Sequence, residues 1–286
     1  MAIIAGGVLG GYLWLTSDSA VPVDVEQIAA NFRTTTSAAT APTTPAPTSS
    51  APGPTSVSAP TSAAGPTTSL APPTTQPAAP IGVYVYNTTG QEGVDALGGS
   101  EHDYPVATSI SMSDLGNGCR SIRWDALEQR WSDTQVCPGP DGWTVTAKTV
   151  FHSFFHQDDE RMYTCQPGSV ELPADLTANV TFSASCTSGG TSASGASTED
   201  IQGRVIGDEE IVVNGQSVDT VHVQYQIAIG GETGGQTSID RWYARDVPML
   251  LVKEVSDSAT TSEEVVGTVH YTERYELVLQ SLEPIA

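Results

Sequence analysis

His152 and His156 stand four residues apart and are followed at once by Asp158, Asp159 and Glu160, a dense run of side chains of metal-ligand type. On a helix the i, i+4 spacing would bring both imidazoles to one face. Trp143 to Phe151 alternates as a strand does, however, and continuing that period puts the two histidines on one sheet face roughly 13 Å apart, too far for one ion. A solvated turn after an aromatic-rich strand end fits better, and no metal ligand is assigned. His222 and His270 fall on the edges of two strand patterns, where they read as surface residues, or as a pH-sensitive pair if their strands are neighbours. Glu209-Glu210 and Glu263-Glu264 are acid pairs near turns. Glycoside chemistry needs two carboxylates converging in a cleft, and acidic loops account for these pairs without it. The chain has no Gly-x-Ser-x-Gly nucleophile elbow. Trp124, Trp131, Trp143 and Trp242 are candidates to line a hydrophobic groove, with core packing expected for at least two. The reading is therefore of a non-enzymatic chain with no catalytic residue, no metal ligand and no cofactor-binding residue.

Cys119, Cys137, Cys165 and Cys186 make an even set with no C-x-x-C pair, which argues against a zinc ribbon or a thioredoxin-like redox site. Three pairings are open. Cys119 with Cys137 and Cys165 with Cys186 is preferred, because each pair brackets one short stretch able to fold back as a hairpin or meander. Closing a loop of about 18 residues stabilises by roughly 3 kcal/mol in the chain-entropy model. Such bonds belong to an oxidising compartment outside the cytoplasm.

Four segments organise the chain. Residues 1–20 hold an apolar head with no charge before Asp18, at the short limit of a membrane-spanning helix, which needs about 17–25 residues. A cleaved signal would open with a positive flank, which is absent. A retained anchor is favoured, with Tyr12 and Trp14 near the outer interface. In the juxtamembrane segment 21–33, Val25, Ile28, Ala29 and Phe32 recur at helical spacing. Two readings stay open there, a brief amphipathic helix at the membrane surface and an extended lead. Residues 34–80 are a Pro/Thr/Ser/Ala-rich linker with no charge and no aromatic side chain, a composition that stays disordered. As a spacer its ends would lie from about 40 Å (coil) to about 145 Å (extended) apart. Residues 81–286 form the extracytoplasmic domain, which keeps nearly all of the −22 formal charge. That sign repels phosphate backbones, so no nucleic-acid partner is expected.

The domain reads as β throughout. Val221, Val223, Tyr225, Ile227 and Ile229 alternate with polar residues, as a half-buried strand does. The last strand repeats the pattern with Val265, Val269, Tyr271, Tyr275, Leu277 and Leu279. Asn214-Gly215 between apolar runs is a tight hairpin signal. Ten or eleven strands joined mostly in sequence order predict an antiparallel meander. The expected fold is all-β: a strongly curved sheet or open half-barrel, preceded by a transmembrane helix and a disordered linker.

The run from Gly203-Arg204-Val205 through the Asn-Gly hairpin, Asp240-Arg241-Trp242-Tyr243 and Val269-His270-Tyr271-Thr272-Glu273-Arg274-Tyr275 resembles the long curved meander of LolA/LppX-like lipoprotein carriers. With Gly82-Val83-Tyr84-Val85-Tyr86, Tyr104-Pro105 and Tyr163-Thr164-Cys165, the whole layout is similar to uncharacterised membrane-anchored exported proteins of high-GC Gram-positive bacteria. The first resemblance implies a bent sheet whose concave face holds acyl chains, and it transfers no catalytic residue. The chain departs from the lipoprotein pattern in lacking a lipobox cysteine near its head, so lipidation is not expected. The expected function is a single-pass cell-membrane protein whose domain outside the cytoplasm binds a lipid or other apolar envelope ligand. The alternative is a cell-surface interaction domain using loops such as 189–198. Oligomeric state leaves no mark in the sequence.

Overall fold

Long strands with one apolar face must bury that face together, and here they do so by closing on themselves. The computed structural model describes residues 18–39, 79–189, 195–264 and 267–286; the head 1–17 and the linker stretch 40–78 lie outside them. Fourteen strands follow one another: β1 Gly82–Val94, β2 Ser100–Asp103, β3 Ala107–Gly116, β4 Cys119–Leu127, β5 Arg130–Gly139, β6 Gly142–Phe154 and β7 Gln157–Cys165, then β8 Val170–Pro173, β9 Thr181–Ser188, β10 Ser197–Val213, β11 Gln216–Gly231, β12 Thr233–Ala244, β13 Leu251–Glu264 and β14 Gly267–Leu279. Neighbours pair antiparallel in chain order except at β2, which pairs β1 alone while β3 also pairs β1, and at β8. β14 then pairs back onto β1 from Tyr86↔Leu279 to Val94↔Tyr271.

The expected open half-barrel is thus corrected to a closed ring of twelve strands, with β2 extending the β3 edge along β1 and β8 pairing β6 outside the ring. Closure removes the two free edges that an open sheet would expose. At the seam, Gly90 has φ +141° and a Cβ there would run into the backbone of Arg274 and Tyr275, so the residue permits the close pairing of β1 with β14. The Asn214-Gly215 hairpin forms as expected, with φ +48° and +80°. Val221, Val223, Tyr225 and Ile227 point inward and are buried, whereas Gln202, Arg204, Gln226, Asp257 and Arg274 are exposed on the outer wall. That outer wall is unlike the lipid-facing apolar band of a membrane-spanning barrel. Among the described residues, no helix is long and apolar enough to cross a membrane.

Both disulfides join neighbouring strands, Cys119 of β4 to Cys137 of β5 and Cys165 of β7 to Cys186 of β9, where the latter two are direct register partners. All four cysteines are bonded.

One end of the barrel, the base, is closed by β8, with Val170, Glu171 and Leu172 buried, and by Met249 and Leu250 before β13. The other end, the mouth, carries the connections at 95–99, 128–129, 155–156 and 232. Residues 18–22 lie along this rim. Pro22 bridges Leu127, Val21 N donates to Gln129 Oε1 at 3.0 Å, and Gln129 Nε2 donates to Ser19 O at 3.0 Å. A helix, α1 (Val25–Ala39), follows. Asp24 caps it, accepting from Glu26 N at 3.0 Å. Ala29 is fully buried, and α1 packs against the outer wall of β1 and β3, where small outward residues, Ser109 and Ser111, let it approach. Its Arg33 donates to the Ile285 carbonyl at the base. Segment 21–33 is therefore a strap on the barrel rather than a helix on a membrane surface. Residues 34–39, read from composition as linker, continue that helix, and Ala79 is already part of the core.

Candidate functional site

A cavity of about 760 Å³ runs from the mouth toward the base, within the size range of small-molecule sites. Its wall is not the uniformly apolar surface expected of a sheet that holds acyl chains. Four bases line it, Arg130, Lys148, Arg161 and Arg241, against seven acids: Asp158, Asp159, Glu171, Glu199, Glu254, Glu264 and Glu273. Each base is taken. Arg130 Nε lies 2.7 Å from Glu273 Oε1, Lys148 Nζ 2.9 Å from Glu199 Oε1, and Arg161 Nη2 2.8 Å from Asp159 Oδ2. Arg241 Nε lies 2.6 Å from Glu254 Oε2, while its Nη1 meets Glu171. Burial by itself would push the Lys148 ammonium down, yet the facing Glu199 carboxylate raises it. Tyrosines complete the lattice: Tyr104 Oη donates to Glu273 at 2.5 Å and Tyr275 Oη to Glu254 at 2.5 Å. Burial pushes both phenols well above their ordinary value.

Near the mouth the network becomes an acid and imidazole chain. Glu92 is fully buried. His102 Nδ1 donates to its Oε1 at 3.1 Å, while His152 Nδ1, at 3.0 Å, and Tyr271 Oη, at 3.0 Å, meet its Oε2. Burial alone would raise the Glu92 carboxyl, but the hydrogen bonds from both histidines and the nearby charges of His152 and Arg130 hold it at about 2. The other side of His102 faces the strap, with Nε2 3.2 Å from Asp18 Oδ2, an ion-pair contact rather than an aligned hydrogen bond. Burial works to lower the His102 pKa, and the hydrogen bond and charge of Glu92 together with the charge of Asp18 overcome it and raise it. Asp18 also accepts from Phe155 N at 3.0 Å and Ser100 Oγ at 3.1 Å.

His152 is therefore not on a solvated turn. β6 ends at Phe154, Phe155 and His156 take positive φ of 53° and 61°, and the turn separates the two histidines. His222 and His270 do not meet. His222 sits outside the barrel between Glu209, 2.9 Å, and Asp240, 2.7 Å, stacked on Trp242 at 4.2 Å, and His270 pairs with Asp95 at 2.6 Å. Trp124 is buried on the cavity wall and Trp143 packs on the core. Trp131 stacks on Phe151 at 5.4 Å under the Arg123 guanidinium. Of the loop 189–198, Ser197 is buried at the start of β10 and residues 190–194 lie outside the described residues. Sequence reasoning missed Glu92, His102, Glu273 and Arg241. The available signal was charged residues standing in the inward phase of otherwise apolar strands, as Glu273 does between Tyr271 and Tyr275.

A second missed feature is a wall of hydroxyls. Ser256, Ser258, Thr260 and Ser262 of β13 alternate into the cavity beside Thr233 and Thr237 of β12. Thr237 Oγ1 lies 2.8 Å from Ser258 Oγ. Thr233, 3% exposed, has a buried Oγ1 with no hydrogen-bond partner among the described residues.

No family model matches this sequence, and neither does any curated protein. Among solved structures it is similar to the hypothetical lipoprotein YmcC from Escherichia coli K12, with 6% identity over 66% of this chain and 85% of that one and a TM-score of 0.30. It is also similar to a predicted lipoprotein from Parabacteroides distasonis, with 12% identity over 72% and 96% and a TM-score of 0.32. Superposition this loose assigns no function.

Proposed function

We propose that this protein is a non-enzymatic binding module outside the cytoplasm, held at a membrane by its apolar head, whose barrel takes up a neutral amphiphile of the cell envelope. The observation that carries the reading is the cavity, whose wall combines hydroxyls along β12 and β13 with apolar side chains such as Ile110, Ile122, Leu251 and Leu277. A ligand matching it has a hydrogen-bonding head and an apolar tail. Acids outnumber bases on the wall and every base is paired, so an anionic head would meet repulsion and find no free cation. Binding rather than catalysis is favoured because the buried carboxylates and histidines neutralise one another instead of flanking a nucleophile. The two disulfides support an exported domain.

The test uses the chain from Asp18 onward, which holds every described element, purified without detergent. Native mass spectrometry reads any bound amphiphile, and melting temperature is followed with an alkyl glucoside and with laurate. At a ligand concentration of 100 Kd the glucoside should stabilise by about 2.7 kcal/mol, a rise of roughly 5–11 °C for a domain of this size. Laurate should give little. An empty chain that neither compound stabilises would overturn the reading and turn attention to the outer aromatic clusters around Trp131 and Trp242.

A further inference from the structure

We infer that the cavity mouth is the face of the barrel apposed to the lipid surface that holds residues 1–17, so that an amphiphile passes between bilayer and cavity without crossing water. The inference rests on the membrane-held reading above and adds the orientation and the route. Composition alone suggests the opposite picture, a barrel standing off its anchor on a Pro-rich spacer. The strap removes that spacer from between them. Asp18, one residue past the uncharged head, is pinned on the mouth by Phe155 N, Ser100 Oγ and His102, and Phe155 lines the cavity itself. From there the chain runs along the rim through Pro22 and down the outer wall as α1, whose Arg33 reaches the base at Ile285. Re-entry is also at the base, where Ala79 N donates to Pro248 O at 3.2 Å. The described residues on either side of 40–78 thus contact the base, through Arg33 and Ala79, whereas Asp18 contacts the mouth, so the length of that stretch does not enter the distance between Asp18 and the mouth.

The rim suits this placement. Two of its side chains, Val21 and Leu97, are large, apolar and 37% exposed, and Leu97 also lines the cavity. Asp95, Glu232 and Glu263 are exposed at the same end, so the matching surface is zwitterionic rather than anionic. β14 spans mouth to base in 13 residues, which at barrel tilt separates the two ends by roughly 30 Å.

That separation makes the orientation measurable. Because every native cysteine is in a disulfide, one introduced cysteine takes a fluorescent label alone. The full chain is reconstituted in phosphatidylcholine vesicles carrying a lipid-bound nitroxide quencher, with the label on Leu97→Cys at the mouth or on Val212→Cys, 61% exposed, at the base. The expected result is quenching several-fold stronger at position 97 than at position 212. Equal or reversed quenching overturns the inference. In a second variant Asp18→Ala and Ala29→Glu are added to Leu97→Cys, to release the rim contacts of residue 18 together with the packing of α1 on β1 and β3. The barrel then hangs on a long tether, and quenching at 97 should fall while the far-ultraviolet β signal persists. Undiminished quenching with α1 free would overturn the strap as the orienting device. Failure of the chain to float with vesicles would overturn the membrane-held reading itself, whereas ligand binding is measured on the chain from Asp18 with no membrane present. The two ideas therefore fail separately.

Discussion

Replacing Glu92 by Gln removes the buried charge that gathers His102, His152 and Tyr271. The carboxyl is held at about 2 in the folded protein against an ordinary 4.5, a difference equivalent to about 3 kcal/mol of folding stability. Because folding lowers this pKa, the stabilisation is complete above pH 4.5 and is lost as pH falls toward 2. Loss of one partner from a buried ionic cluster costs 3–5 kcal/mol in general, about the same size. The assay is denaturant unfolding of wild type and Glu92→Gln at half-unit steps from pH 2 to 7. Near pH 6 the variant should be about 3 kcal/mol less stable, a drop in melting temperature of roughly 6–12 °C. The gap should close as pH falls from 4.5 toward 2, because the wild type then loses the same interaction by protonation. Other carboxylates titrate in that range in both proteins, so the difference between the curves, not either curve, reports on Glu92. A gap that stays constant down to pH 2 would refute the reasoning, since it would mean the variant fails through packing and not through charge.

The strap carries the opposite pH sign. Folding raises the His102 pKa above 6.5, so its attraction for Asp18 is fully present below 6.5 and is lost as pH rises through the folded value; trypsin cleavage after Arg33 should accelerate there in wild type and change less in Asp18→Asn run in parallel. Arg241→Met leaves Glu171 and Glu254 without their shared cation and should cost about 3–5 kcal/mol, with part of the loss recovered by adding Glu254→Gln; no recovery would show that Arg241 matters through packing. Replacing Cys165 and Cys186 together by Ser opens a loop of 21 residues and should cost roughly 3 kcal/mol in equilibrium unfolding, whereas an unchanged midpoint would place the constraint elsewhere. Thr233→Val should leave stability within about 0.5 kcal/mol and weaken alkyl glucoside binding; equal affinity would remove the hydroxyl wall from the recognition.

The contacts that distinguish this barrel are mostly long-range. His102 and Glu92 are register partners on β2 and β1, yet Tyr271 and His152 reach the same carboxylate from 179 and 60 residues away. In the sequence these residues look like scattered surface charges, because an inward-facing Glu and an exposed one have the same neighbours along the chain. The helical spacing of Val25, Ile28, Ala29 and Phe32 was visible, but its partner surface was not. A short amphipathic helix carries the same pattern whether it lies on lipid or on the outside of a β wall.

By itself the sequence determined what is local: period-two strands in chain order, the Asn214-Gly215 hairpin, and an acidic domain downstream of an apolar head, whereas the disulfide pairing was only preferred and was fixed by the strand register. Each local feature follows from backbone propensity or from residues close along the chain. Only the tertiary structure decided that β14 meets β1, that the interior holds paired charges around a cavity, and that segment 18–39 returns to the barrel. Those depend on how twist, bulges and register accumulate over the whole ring, and on burial that turns a weak surface ion pair into a strong one. No single window of the chain contains either quantity.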